Sequence, residues 1–98
     1  MDSDDLRASL EASEPPTGLG ALVQALWFAA KGDWDRAHEI AQAEQGPDGA
    51  WVHAHLHRIE GDLGNASYWY RRAGRPVSDA PLDAEWDAMA AALLAEGR

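Results

Sequence analysis

Gly61-Asp62-Leu63-Gly64-Asn65-Ala66-Ser67-Tyr68-Trp69-Tyr70-Arg71-Arg72-Ala73 is the stretch on which the fold turns. A glycine free to take a left-handed conformation ends one helix, the aspartate after it caps the next, and the alanines let a neighbouring helix approach closely. The same turn stands earlier in the chain as Gly32-Asp33-Trp34-Asp35-Arg36-Ala37, so that Gly61, Asp62 and Ala66 fall 29 positions after Gly32, Asp33 and Ala37. At that offset Val52 also matches Val23 and Ala54 matches Ala25, without a gap. The register predicts an all-α chain with two antiparallel helix-turn-helix hairpins, spanning about 18–46 and 47–75.

Working outward, Thr17 reads as the N-cap of a helix that runs to about Lys31, and Asp33 as the cap of a second that runs to about Glu44. Gln45-Gly46-Pro47-Asp48-Gly49 is dense in turn formers, after which a third helix is predicted from near Asp48 to Glu60. The fourth starts at Asp62 or Asn65 and ends at Ala73-Gly74, with Arg71 and Arg72 in its last turn as the helix dipole favours. Beyond the linker 75–81, Leu82, Trp86, Met89 and Leu93 form the stripe of a last helix, about 82–96, expected to cap the second hairpin. Residues 1–16 read as an acidic arm or short helix closed by Pro15-Pro16, and 17–98 as a single helical domain. No stretch alternates with period two over a useful length, so no strand is predicted.

The stretch 61–73 resembles the centre of a tetratricopeptide repeat, in which a Gly-Asp turn is followed by alanine, aromatics and alanine again; 32–37 resembles the same turn in a first unit. The resemblance covers about 18–74 and implies an α-α superhelix whose first helix in each hairpin lines a peptide-binding groove. The chain departs from that pattern in three ways. Its offset is shorter than the usual spacing of about 34, the closing prolines Pro47 and Pro76 are displaced, and two units are fewer than a stable stack usually needs. The run Trp51-Val52-His53-Ala54-His55-Leu56-His57-Arg58-Ile59-Glu60-Gly61-Asp62, with 68–74, also resembles a group of small uncharacterised bacterial proteins. That likeness implies a fold and carries no activity.

Composition narrows the function. The 98 residues hold 17 acidic against 8 basic side chains, a net charge of -9, which argues against nucleic acid and anionic membranes as general partners. The absence of cysteine excludes disulfides and thiolate chemistry. Met1-Asp2-Ser3-Asp4-Asp5 is the reverse of a signal-peptide start and no apolar run approaches a membrane span, so a cytoplasmic location is expected. No nucleophile elbow or phosphate-cradling glycine loop is present, and no cofactor is predicted. Asp33 and Asp62, at matching repeat positions, read as caps rather than as a catalytic pair.

One basic island, Arg58, Arg71, Arg72 and Arg75, sits in this acidic chain, with His53, His55 and His57 beside it. By register Trp51, His55 and Arg58 line the groove, and Tyr68, Arg71 and Arg72 face outward from the fourth helix. Together they suggest an interaction module for a protein or peptide with an acidic segment. An alternative rests on His53, His57 and Glu60, spaced i, i+4, i+7 on one helix arc, as ligands of a metal-dependent or acid-base enzyme. A third is a structural homodimer. In all three the weight falls on the second copy, where Trp51, His55 and His57 replace Leu22, Leu26 and Phe28 of the first.

Overall fold

The computed structural model describes residues 1–96; the last two positions of the predicted 17–98 domain lie outside the described residues. These residues form α1 (Ser3–Ala8), a 3-10 turn (Ser9–Glu11), α2 (Ala21–Ala30), α3 (Trp34–Ala43), α4 (Pro47–Ile59), α5 (Leu63–Ala73) and α6 (Leu82–Ala95). The described part is all-helical. Its radius of gyration is 12.2 Å, close to the value of about 12.6 Å for a compact chain of this length.

The duplicated turn repeats bond for bond. Between α2 and α3, Lys31 N donates to the Trp27 carbonyl, Gly32 N to Ala29 and Asp33 N to Phe28; between α4 and α5, Glu60 N donates to Leu56, Gly61 N to Arg58 and Asp62 N to His57. Every donor and acceptor is displaced by the same 29 positions. Gly32 and Gly61 take φ of +87° and +82°, where a side chain would be strained. Asp33 and Asp62 then accept from Arg36 N and Asn65 N as true N-caps. α2 packs on α3 and α4 on α5, while α3 also packs on α4.

Three features refine or depart from the sequence reading. The helix expected from Thr17 starts at Ala21, because Gly18 takes φ +83° and the chain stays extended through Gly20. Gln24 instead ties the entry down by donating to the Leu19 carbonyl at 2.8 Å. The 1–16 segment carries α1, whose Leu6 is fully buried and whose Arg7 pairs with Asp87 at 2.6 Å and lies 4.7 Å over the Trp86 ring. Thirdly, α6 packs across α1, α2 and α4, and so lies on the face where the register placed a groove. There Trp86 donates to the Leu26 carbonyl at 2.7 Å, and Met89, Ala90 and Leu93 are buried with Leu22, Val23, Leu26, Val52 and Leu56. Leu82, read as part of the buried stripe, is exposed, and Glu85 is buried.

The α3–α4 junction is closed by a backbone contact. A Cβ added at Gly49 would overlap the Glu44 carbonyl oxygen, whereas one at Gly64 meets only Asp62 Oδ1 at 3.9 Å. Gly49→Ala is therefore expected to destabilise by about 1–3 kcal/mol, and Gly64→Ala to stabilise by about 0.5–1 kcal/mol through helix propensity. Thermal unfolding of the two variants should move in opposite directions from the parent.

Candidate functional site

Two polar constellations are built into the α4 half of the fold. The first begins with the helical register: His53 and His57 stand one turn apart on α4, their rings stacked with centroids 4.9 Å apart. α3 packs on α4 and brings His38 against both. Its ring lies 4.5 Å from that of His53 and 5.6 Å from that of His57, centroid to centroid. Nε2 of His38 and Nε2 of His53 are 2.9 Å apart, so one ring donates and the other accepts. One nitrogen from each of the three rings falls within 4.8 Å of the others.

Each ring is held from behind. Trp34 stacks on His38 at 4.7 Å, and its own Nε1 donates to the Leu56 carbonyl at 2.7 Å. Trp69 of α5 stacks on His53 at 3.9 Å. Nδ1 of His57 lies 2.5 Å from Glu60 Oε1, and because a carboxylate only accepts, the neutral ring carries its proton on Nδ1 and leaves Nε2 free. Burial pushes the His53 pKa down to about 4, with repulsion from His38 and His57 adding to it. His38 is lowered too, by burial and then His57, against opposing pulls from Glu60 and Asp35.

Of the metal set expected from spacing, the structure brings His53 and His57 together but puts Glu60 behind His57 rather than beside the shared nitrogens. The third ring, His38, was missed. Nothing in the spacing between His38 and His53 signals it; only the packing of the second helix of one hairpin on the first helix of the next brings them together.

The second constellation lies under α6. Glu85 Oε1 accepts from His55 Nδ1 at 2.6 Å and from Arg58 Nη1 at 2.8 Å, and its Oε2 accepts from the Tyr70 hydroxyl. Arg58 Nη2 also donates to the Ala80 carbonyl at 2.5 Å. Burial alone would raise the Glu85 pKa, yet the bonds from His55, Tyr70 and Arg58 outweigh it and hold the carboxyl at about 2. The Tyr70 hydroxyl is pushed well above its usual range by burial and by the adjacent carboxylate. Arg58 is raised: burial works against its charge, and Glu85 overcomes it. Among the described residues no buried side-chain nitrogen or oxygen lacks a partner.

The residues expected to line the groove are thus spread between different tasks. His55 is 1% exposed and committed to Glu85, and Arg58 is likewise engaged. Trp51 is buried beneath Arg75, whose guanidinium lies 3.5 Å from the ring centroid. Tyr68, Arg71 and Arg72 remain on the outer side of α5, where Tyr68 is 42% exposed. Arg72 donates to the Tyr68 hydroxyl at 3.1 Å and lies 5.5 Å from the Trp69 ring centroid. Among the described residues the ion pairs use Arg7 and Arg58 but none of Arg71, Arg72 and Arg75. Beside Arg72 opens a cavity of about 440 Å3, bounded also by His53, Trp69, Pro47 and Gln42.

No protein-family model, curated protein or solved structure matches the chain. Among the described residues no helix is long and apolar enough to cross a membrane.

The two constellations give acid unfolding two steps. His53 is held near 4 against an ordinary value of 6.5, so the unfolded chain takes up that proton first and stability falls as pH drops from 6.5 to 4. Glu85 is held near 2 against 4.5; its contribution is full above pH 4.5 and is lost as pH falls toward 2, roughly 3 kcal/mol in all. Urea unfolding across pH should show both steps. The lower one should shrink markedly in Glu85→Gln and the upper one in His53→Phe, which keeps a ring on Trp69 and leaves only the smaller contribution of His38.

Proposed function

We propose that this chain is a tetratricopeptide-like interaction module that binds an acidic peptide segment along the outer side of α5, through Arg71 and Arg72 with Tyr68 beside them. The carrying observation is the state of these arginines. In a chain of net charge -9 they stand without a carboxylate partner among the described residues. Arg72 is already oriented by the Tyr68 hydroxyl and the Trp69 face, so little side-chain freedom remains to be lost on binding. A guanidinium fork matches a carboxylate in two parallel bonds, and the neighbouring cavity of about 440 Å3 is large enough for a side chain next to that carboxylate.

Kinship with tetratricopeptide repeats is supported by the recurrence of the capped Gly-Asp turn at a fixed offset and by the succession of helix pairs. The face used differs from the one such repeats usually offer. Trp51, His55 and Arg58 leave the binding set because α6 covers that side and Glu85 engages its polar groups. Binding moves to α5, whose last turn carries the two arginines.

A short polyglutamate peptide titrated into the protein should quench tryptophan fluorescence through Trp69, with an affinity that weakens as salt is raised. The double variant Arg71→Ala/Arg72→Ala should bind at least tenfold more weakly, while Arg36→Ala, whose guanidinium lies 4.6 Å from the Phe28 ring centroid, should bind as the parent does. Equal binding by all three proteins overturns the reading. Light scattering on the same samples distinguishes peptide capture from self-association.

A further inference from the structure

Among the described residues, the three-histidine cluster is the group in which imidazole nitrogens are gathered toward one another, with His38 and His53 paired directly. The fourth histidine shows how this fold treats a structural imidazole: His55, the most buried of the four, is given a carboxylate, Glu85, at 2.6 Å. His38 and His53 have no such partner at Nε2; each has only the other. That arrangement would be an odd way to fill a core, and it has the dimensions of a coordination sphere.

Three imidazole nitrogens sharing a tetrahedral ion at about 2.0–2.1 Å lie about 3.3 Å from one another, with ring centroids about 5 Å apart. Here the His38 and His53 nitrogens are 2.9 Å apart, all three ligand atoms lie within 4.8 Å, and the centroid separations are 4.5, 4.9 and 5.6 Å. Movements of a few tenths of an ångström at the first pair and up to about 1.5 Å elsewhere bring the set to that geometry. The rings are also fixed from outside, by Trp34, Trp69 and Glu60. The Glu60 contact is the carboxylate–histidine arrangement that orients a metal-bound imidazole and selects its tautomer.

We propose that His38, His53 and His57 form a three-nitrogen site for a divalent first-row transition-metal ion, with Glu60 as the positioning carboxylate behind His57. An all-imidazole set suits zinc, copper or nickel and not magnesium or calcium, which take oxygen ligands. A fourth coordination position is left for solvent or an anionic ligand. The other grouping of close donors, His57 with Glu60 and Asp62, is the weaker site: Asp62 is spent on capping α5 through Asn65 N and Asn65 Nδ2, and Glu60 on His57 Nδ1. The proposal does not depend on Arg71 or Arg72.

The test uses the full chain, free of any histidine tag and stripped with chelator, titrated with zinc and separately with cobalt(II). A single ion per chain is expected, with a rise in melting temperature and the visible absorption of four-coordinate cobalt. His38→Ala should weaken binding by a hundredfold or more. Glu60→Gln should weaken it about 10–100-fold, and Asp62→Asn, which keeps the cap, should leave it unchanged. In the parent protein, zinc should shift the imidazole nitrogen resonances of His38, His53 and His57 and not those of His55, a readout that stands even if a variant fails to fold. Absence of stoichiometric uptake, uptake indifferent to His38→Ala, uptake lost in Asp62→Asn, or zinc shifts confined to other residues would each overturn it. Arg71→Ala/Arg72→Ala should bind zinc as the parent does, which keeps this outcome separate from that of the peptide titration.

Discussion

The carboxylate of Glu85 sits where α4, α5 and the segment before α6 meet, and it accepts from His55, Arg58 and Tyr70 at once. Each of those donors is buried or nearly so, and none has another acceptor of comparable strength close by apart from the Ala80 carbonyl that Arg58 shares. Removing a charge of this kind from water is costly unless all its bonds are made. The same condition fixes the helix that carries it. Once Glu85 is placed, Trp86 reaches the Leu26 carbonyl, Met89 and Leu93 enter the core shared by α2 and α4, and Arg7 of α1 closes over the outer side of Trp86. Arrangement of α6, and through it of the N-terminal segment, thus follows from one ion.

That constraint also decides which faces of the helices are covered. In a helical repeat the first helices of the hairpins ordinarily offer a free face; here this face carries α6 and is sealed by hydrogen bonds that an incoming peptide would have to replace one for one. Neutral contacts alone would leave α6 exchangeable. An ionised hub with three donors does not, because a peptide taking its place would bury Arg58 and His55 without the carboxylate that now offsets their desolvation. Arg71 and Arg72, on the α5 edge, lie outside the hub and are the side chains on which the proposed peptide site rests.

How much of this was legible depends on whether a residue's task is local. The turns were readable because a glycine at positive φ and an aspartate cap are both decided within a few residues, and the two copies corroborate each other. Thr17 misled because a capping residue is recognised by type, while Gly18 and the Gln24–Leu19 bond decide where α2 can begin. Glu85 was invisible as a hub: in the first turn of a helix an acidic residue reads as a favourable partner of the dipole, and the sequence holds no sign that Arg58, far earlier in the chain, needs it. The i, i+4 spacing puts His53 and His57 side by side, as the stacked rings show. Glu60, three residues beyond His57, reaches Nδ1 of that ring and not the face His57 shares with His53.

The duplication supplies an internal control for deciding which polar residues are merely tolerated. The turns of the two hairpins match to the level of individual hydrogen bonds, so a polar residue beside the turn in one copy can be compared with the apolar residue at the same register position in the other. His55 stands where Leu26 stands, and its extra desolvation is compensated by Glu85. His57 stands where Phe28 stands; Phe28 is met by the flat face of Arg36, while His57 gains Glu60 and faces two further imidazoles. The first substitution is explained by the position of α6. The second is accompanied by the Glu60 bond and an edge contact with Trp34, but neither of these accounts for His38 and His53 as neighbours. The sister hairpin carries an apolar ring at the position where this one gathers three imidazole nitrogens, and the proposed metal site is a physical account of that contrast.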